Sequence, residues 1–179
     1  DDCPWVHWTN AIGQYIIDEA RIAVGGQKVD EIWGDYLFCY EELSGKVGRR
    51  LLEMVGKRYS RKELLIDSSE SRRLYVPLPF WFTQASGHAL PLTSLQFHSV
   101  TLQVRFQPLE KCVVVNMPHD DGRPIWPHYD VVNCKTGQPL HKNDLDANLL
   151  TSYVYLDQSE RERFAQQSME IIAYQHQRQ

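Results

Sequence analysis

The chain has 179 residues, of which 42% are hydrophobic and 23% charged, and it carries a net charge of −4. That is enough apolar material for one domain with a real core, and too much for a disordered chain. No basic surplus exists to draw nucleic acid phosphates, no apolar run is long enough to span a bilayer, and no signal-peptide pattern is present.

In residues 15–24, Ile16, Ala20, Ile22 and Val24 share one phase and Glu19 and Arg21 the other, the period-two pattern of a half-buried strand. Gly25 and Gly26 then supply the positive-φ freedom of a tight turn, and residues 27–32 return as a short strand. Residues 34–43 are aromatic-rich and predict a short helix. Residues 46–55 place Val47, Leu51, Met54 and Val55 at helical spacing, with Arg49, Arg50 and Glu53 elsewhere on the surface. Residues 57–73 are charged and serine-rich and read as a long exposed loop.

Residues 74–82 alternate again, with Leu74, Val76, Leu78, Phe80 and Phe82 on one face. Pro77 and Pro79 share the other phase, so their missing N–H groups fall on one edge and predict an outer strand or one whose neighbour splays away. Residues 83–87 are the connecting loop, and Pro91 marks the start of the next strand, residues 95–106. That strand slips in phase: Leu95 and Phe97 are odd, whereas Val100, Leu102, Val104 and Phe106 are even. The slip predicts a bulge or bend near His98 and Ser99.

Residues 111–115 predict a further short strand. Residues 118–148, rich in Pro, Gly, Asp, Asn and His, predict a long loop of the kind that carries contacts. Residues 148–156 read as a strand. Asp157 then caps a helix, with Glu160 at its third position, and Phe164, Ser168, Ile171 and Ile172 line one helical face.

Several blocks together carry a resemblance: WTNAIGQYIIDEARIAVGGQKVDEIWGDYL (8–37), MVG (54–56), LYVPLPFWF (74–82), HALPLTSLQFHSVTLQVRF (88–106) and SYVYLDQSERERFAQQSMEIIAYQHQ (152–177). In this order they resemble the major capsid protein of the nucleocytoplasmic large DNA viruses, the group of iridoviruses, phycodnaviruses and mimivirus-like viruses. The residues of this chain that carry the family signature are Gly25, Gly26, Gln27, Gly34, Pro77, Pro79, Phe80, Trp81, Phe82, Gly87, Pro91, Phe97, His98, Tyr155, Asp157, Glu160, Arg161 and Phe164.

The resemblance implies an all-β fold: an antiparallel eight-stranded jelly-roll sandwich, the first of a double jelly roll, with short helices in its connections and a C-terminal linker helix. Residues 1–157 would be this N-terminal jelly-roll domain, its first strands missing before Asp1. Residues 158–179 would be a helix and linker leading toward a second jelly roll outside this chain. The implied function is structural, with no catalytic residue, cofactor or metal. Three copies would form a pseudo-hexameric capsomer of an icosahedral shell, touching neighbouring capsomers and minor capsid proteins beneath the shell. Direct nucleic acid contact and membrane spanning are not expected; proximity to an inner viral membrane is compatible with it. The implied location is the virion, and the host cytoplasm during assembly. Asn116–Lys142 matches no family pattern and reads as a virus-specific loop, in which Trp126, His128 and Tyr129 are candidate contact residues.

Other readings stand beside this one. Gly25-Gly26-Gln27 is the tripeptide of translation release factors, but here a strand leads into it and the chain is acidic, so a turn accounts for it better. His119, Asp120, Asp121, His128 and His141 could hold a metal, although no His-x-His or His-x3-His pair occurs. The four cysteines, Cys3, Cys39, Cys112 and Cys134, form no C-x-x-C pair and fit reduced thiols; Cys39 falls in an aromatic run that predicts burial. Arg161, Arg163 and Arg178 read as a solvated helix face, with an inner partner or anionic lipid as the alternative. Outside the capsid class, a jelly-roll carbohydrate-binding module and a jelly-roll metalloenzyme are the competing functions.

Overall fold

The computed structural model describes residues 5–44, 51–116, 145–167 and 170–178. The described strands are β1 (Trp5–Trp8), β2 (Ile17–Val24), β3 (Gln27–Trp33), β4 (Val100–Phe106) and β5 (Val113–Asn116). They form two sheets, one pairing β1 with β5 and one of order β3-β2-β4. Every pairing is antiparallel.

The β2–β3 hairpin closes where the sequence places it. Gly25 and Gly26 hold φ of +58° and +81°, so both turn positions are left-handed, as a two-residue hairpin of right-twisted strands requires. Two register shifts shape the sheet. Between β2 and β4 the shift falls at Asp18, so Ile17 pairs with Phe106 and Glu19 with Arg105. Between β2 and β3 it leaves Val29 unopposed, with Ile22 against Asp30 and Ala23 against Lys28.

The Asp18 bulge puts Ile17 on the same face as Ala20 and Ile22. These three, with Ile32 of β3, form the buried heart of the sheet. Val100, Leu102 and Val104 of β4 cover it from the neighbouring strand, and Phe80, Trp81 and Leu37 pack beneath. The opposite face carries Glu19, Arg21, Glu31 and Arg105. Glu19 is buried against the exposure its phase predicts, because basic side chains of the same face fold over it.

Helices fill the connections: α1 (Ile12–Tyr15), α2 (Gly34–Ser44), α3 (Leu51–Val55), α4 (Arg61–Ser68), α5 (Leu109–Cys112) and α6 (Gln158–Gln166). The predicted helix at 34–43 is α2. Of the helix predicted at 46–55, α3 is the described part, and Val47 lies outside the described residues. Val55 is fully buried, while Met54 is exposed. The expected loop at 57–73 is interrupted by α4. Ser60 caps it by accepting the Glu63 N–H at 3.3 Å, and the Ser68 hydroxyl accepts the Trp8 N–H at 2.9 Å. The Ser60-x-x-Glu63 spacing carries that signal.

Several predicted strands are not strands. Residues 74–80 run extended without ladder partners, although their burial alternates as expected. The Tyr75 N–H bonds the Met54 carbonyl at 2.8 Å, whereas Pro77 and Pro79 have no N–H to offer. Trp81–Thr83 is a single 3₁₀ turn where the end of the strand was expected, and Ser86–His88 is another in the expected loop. Pro91 opens a turn, accepting from the Ser94 and Leu95 N–H groups, rather than a strand. The phase slip near His98 is therefore the boundary between that turn and β4, which begins at Val100. Of the strand expected at 111–115, Val113 onward is β5 and the preceding residues close α5. Residues 148–156 have no ladder partner among the described residues and are exposed apart from the half-buried Leu156. A strand is made by its neighbour, so the sequence pattern alone does not form one. Five described strands thus stand against the expected eight.

The α6 cap is as predicted. Asp157 accepts the Glu160 N–H at 2.8 Å and the Ser159 hydroxyl at 2.9 Å. The helix stops at Gln166, so the expected apolar face is not continuous: Phe164 is half-buried, Ser168 lies outside the described residues, and Ile171 and Ile172 are exposed beyond the helix. Residues 170–178 instead run back to β3.

Candidate functional site

Three surfaces gather the polar and aromatic residues. The first is an aromatic wedge. The extended run through Pro77 and Pro79 delivers Phe80, Trp81 and Phe82 beneath the three-stranded sheet. Phe80 stacks on Phe82 at 5.4 Å between centroids, and Trp81 meets Phe82 edge-on at 4.9 Å. The Thr83 hydroxyl lies 2.9 Å from both the Leu78 and Phe80 carbonyls and fixes the turn. Phe80 and Trp81 are core residues and present no free surface.

The second is a charged ladder across β3, β2 and β4. Arg105 bonds Asp18 at 2.6 Å and Glu19 at 2.7 Å. Arg21 bridges Glu19 at 2.7 Å and Glu31 at 3.2 Å, and Lys28 reaches Glu31 at 2.6 Å. The two glutamates share a hydrogen bond that raises the Glu19 carboxyl, helped by burial. Glu31 is held down to about 2, first by its hydrogen bond from Lys28, then by those from Glu19 and Arg21. Positive partners match the carboxylates, so the ladder is a cross-strand clamp, not an open acid site.

The third joins the hairpin tip to the chain's tail. The Gly25 N–H donates to the Ser99 carbonyl at 2.9 Å. Val24, Gly25, Gln27, Lys28, His98 and Gln175 border a shallow hollow of about 480 Å³ there. Beside it, the buried Asp30 carboxylate accepts the His176 N–H at 2.8 Å and faces His176 Nδ1 at 3.0 Å. His176 Nε2 lies 2.8 Å from the Tyr36 hydroxyl. Burial, with the nearby Tyr40 and Asp30, pushes the Tyr36 phenol above its ordinary value. Sequence reading missed this group. Its signal was Asp30, an acid in the same phase as the core residue Ile32, which demands a partner.

The predicted site residues scatter. Gly25 and Gly26 make the hairpin turn, with Gln27 exposed at its foot. Gly34 lies packed against α1 and β2. Gly87 is exposed with open space around it. Phe97 is 91% exposed, and Tyr155 92%. His98 sits over Gly25. Asp157, Glu160 and Arg161 open α6, and the Phe164 carbonyl accepts the Ser94 hydroxyl at 2.6 Å. Arg178 is not on the helix: it lies 3.6 Å from Asp35 and over the Trp33 ring. Cys39 is exposed, contrary to its aromatic neighbourhood, because it falls on the outer side of α2; Cys112 is buried. Trp126, His128 and Tyr129 lie outside the described residues, as do His119, Asp120, Asp121, His141, Cys3 and Cys134. Among the described residues no three His, Cys, Asp or Glu side chains gather to hold a metal, and no helix is long and apolar enough to cross a membrane.

The comparisons agree with one another. The family pattern described as "Major capsid protein N-terminus" matches residues 2–157. Capsid protein 1 of Acanthamoeba polyphaga mimivirus is 32% identical over 92% of the chain and 27% of its own length. The major capsid protein of Pyramimonas orientalis virus is 30% identical over 92% of the chain and 36% of its length. A solved chain of the PBCV-1 virus capsid superposes with a TM-score of 0.58 at 25% identity, covering 92% of this chain and 36% of that one. The chain therefore spans about a quarter to a third of the length of these relatives. With a family match across residues 2–157 and an antiparallel fold that superposes on a capsid chain, this protein belongs to the major capsid protein family, as its N-terminal region.

Proposed function

We propose that this chain is the first jelly-roll unit of a double jelly-roll capsid subunit, and that its work is self-assembly. The family match over residues 2–157 carries the reading. Residues 1–157 would form the barrel, and residues 158–179 the helix and linker toward a second barrel. In this reading three copies make a pseudo-hexameric capsomer, and capsomers tile an icosahedral shell of a large double-stranded DNA virus over minor capsid proteins, near an inner membrane. Assembly would take place in the host cytoplasm and the product would reside in the virion. The exposed segment 148–156, with Leu150 and Tyr155 free of cover, would then gain a strand neighbour when the barrel is completed.

Closed cyclic symmetry is the form such an interface takes. The test is the mass of the whole protein in solution by light scattering, followed by imaging of any particles it forms. A trimer that tiles into shells is expected. A strictly monomeric protein that binds oligosaccharide, or one that purifies with stoichiometric iron, manganese or zinc, would overturn the reading.

A further inference from the structure

The tail contact bears on a different problem, the open edge of β3. Among the described residues β3 is an edge strand of its sheet, as β4 is on the other side, and such an edge is a template for pairing with another chain. It is also irregular there, since Val29 is the bulged residue with no partner in β2. The tail meets the strand at this point. The Gln175 amide donates to the Val29 carbonyl at 2.7 Å, and His176 binds Asp30 through both its backbone N–H and its ring. The ring also packs on Tyr36, 4.4 Å between centroids, and Arg178 continues along the same side to Asp35. Side chains make most of these contacts, so the tail covers the edge without extending the sheet.

We propose that residues 175–178 are an edge guard, a strap that occupies the outer side of β3 through His176 and prevents that strand from pairing with a second copy of the chain. Asp30 makes the strap specific. Its side chain is fully buried, and apart from the N–H of its own neighbour Glu31, at 2.9 Å, its described donors come from His176.

The test is His176→Ala in the whole protein, read by amide hydrogen exchange and by light scattering over a range of concentrations. Exchange of the amide at position 176, whose N–H the Asp30 carboxyl accepts, should rise about tenfold or more once the ring no longer holds the strap, the loss expected for one buried hydrogen bond. The mass should climb with concentration above that of the parent protein. A synthetic peptide of residues 170–179, added in excess, should restore the parent mass, which it would not do for misfolded material. Unchanged exchange, a freed tail with unchanged mass, or association that the peptide does not reverse would each overturn the proposal.

Discussion

Gly34 lies so close to Ile17 that a Cβ built on it would stand 2.3 Å from the Ile17 carbonyl oxygen and 2.8 Å from that of Gln14. Both obstacles are backbone, so neither can swing aside. Gly34→Ala must push α2 away from the start of β2, where Ile17 and Leu37 enter the core. The expected loss is about 3 kcal/mol or more, at the upper end of overpacking costs. Gly87→Ala, with nothing within 4 Å of its added methyl, should stay within about 0.5 kcal/mol. Urea unfolding of the two variants checks the contrast; equal midpoints would show that the α2–β2 approach is looser than the structure has it.

The hairpin turn gives a second test. Gly26 holds φ of +81° with open space around its Cβ position, so only backbone strain opposes a side chain. Gly26→Ala should cost about 1–2 kcal/mol, and Gly26→Asn less, since Asn tolerates the left-handed region. Gln27→Ala should leave the unfolding midpoint unchanged, because Gln27 is exposed and ends the turn. A large effect at Gln27 with none at Gly26 would mean the tripeptide is held for something other than its shape.

Local signals in the sequence were reliable here because local chemistry decides them. Two adjacent glycines between apolar runs made a turn, and Asp157 with Glu160 made a cap. The same kind of signal at Ser60 and Glu63 was hidden by the charged residues around it. Residues 74–82 failed as a strand for a non-local reason: alternation records which side chains are covered, not which backbone groups are paired. The covering was right, with Leu74, Val76 and Leu78 half-buried and Phe80 buried. The phase slip assigned to residues 95–106 has counterparts in the bulges at Asp18 and Val29, visible only in the register between strands. The Asp30–His176 contact joins residues 146 positions apart and has no local trace beyond an acid in a core phase.

The aromatic signature residues should divide sharply by burial. Phe80 is 1% exposed and stacks on Phe82 under the sheet, so Phe80→Ala should cost about 3–5 kcal/mol. Phe97, 91% exposed, should tolerate Ala within about 0.5 kcal/mol in the unassembled protein. If Phe97→Ala leaves folding intact but lowers shell yield, its exposed ring serves an interface; if it unfolds the chain, the placement of the 92–97 turn is wrong.

The glutamate pair makes the acid limb of the stability profile specific. Glu31 is held down to about 2 from an ordinary 4.5, so its stabilising contribution is fully present above 4.5 and is lost as pH falls from 4.5 toward 2. Glu19 is raised, so it acts in the opposite sense: its contribution is present below 4.5 and is lost as pH rises through its folded value. The two glutamates share a hydrogen bond, and Arg21 bridges them, so replacing either tests the clamp itself. Glu31→Gln should flatten the loss of stability between 4.5 and 2 and leave Lys28 without its carboxylate. Glu19→Gln should remove the opposing slope on the high-pH side of 4.5, since its amide can donate to Glu31 at any pH. Unfolding midpoints measured in urea across this range decide the matter. Superimposable acid limbs for the parent and Glu31→Gln would show that the ladder contributes nothing to holding β2 and β3 together.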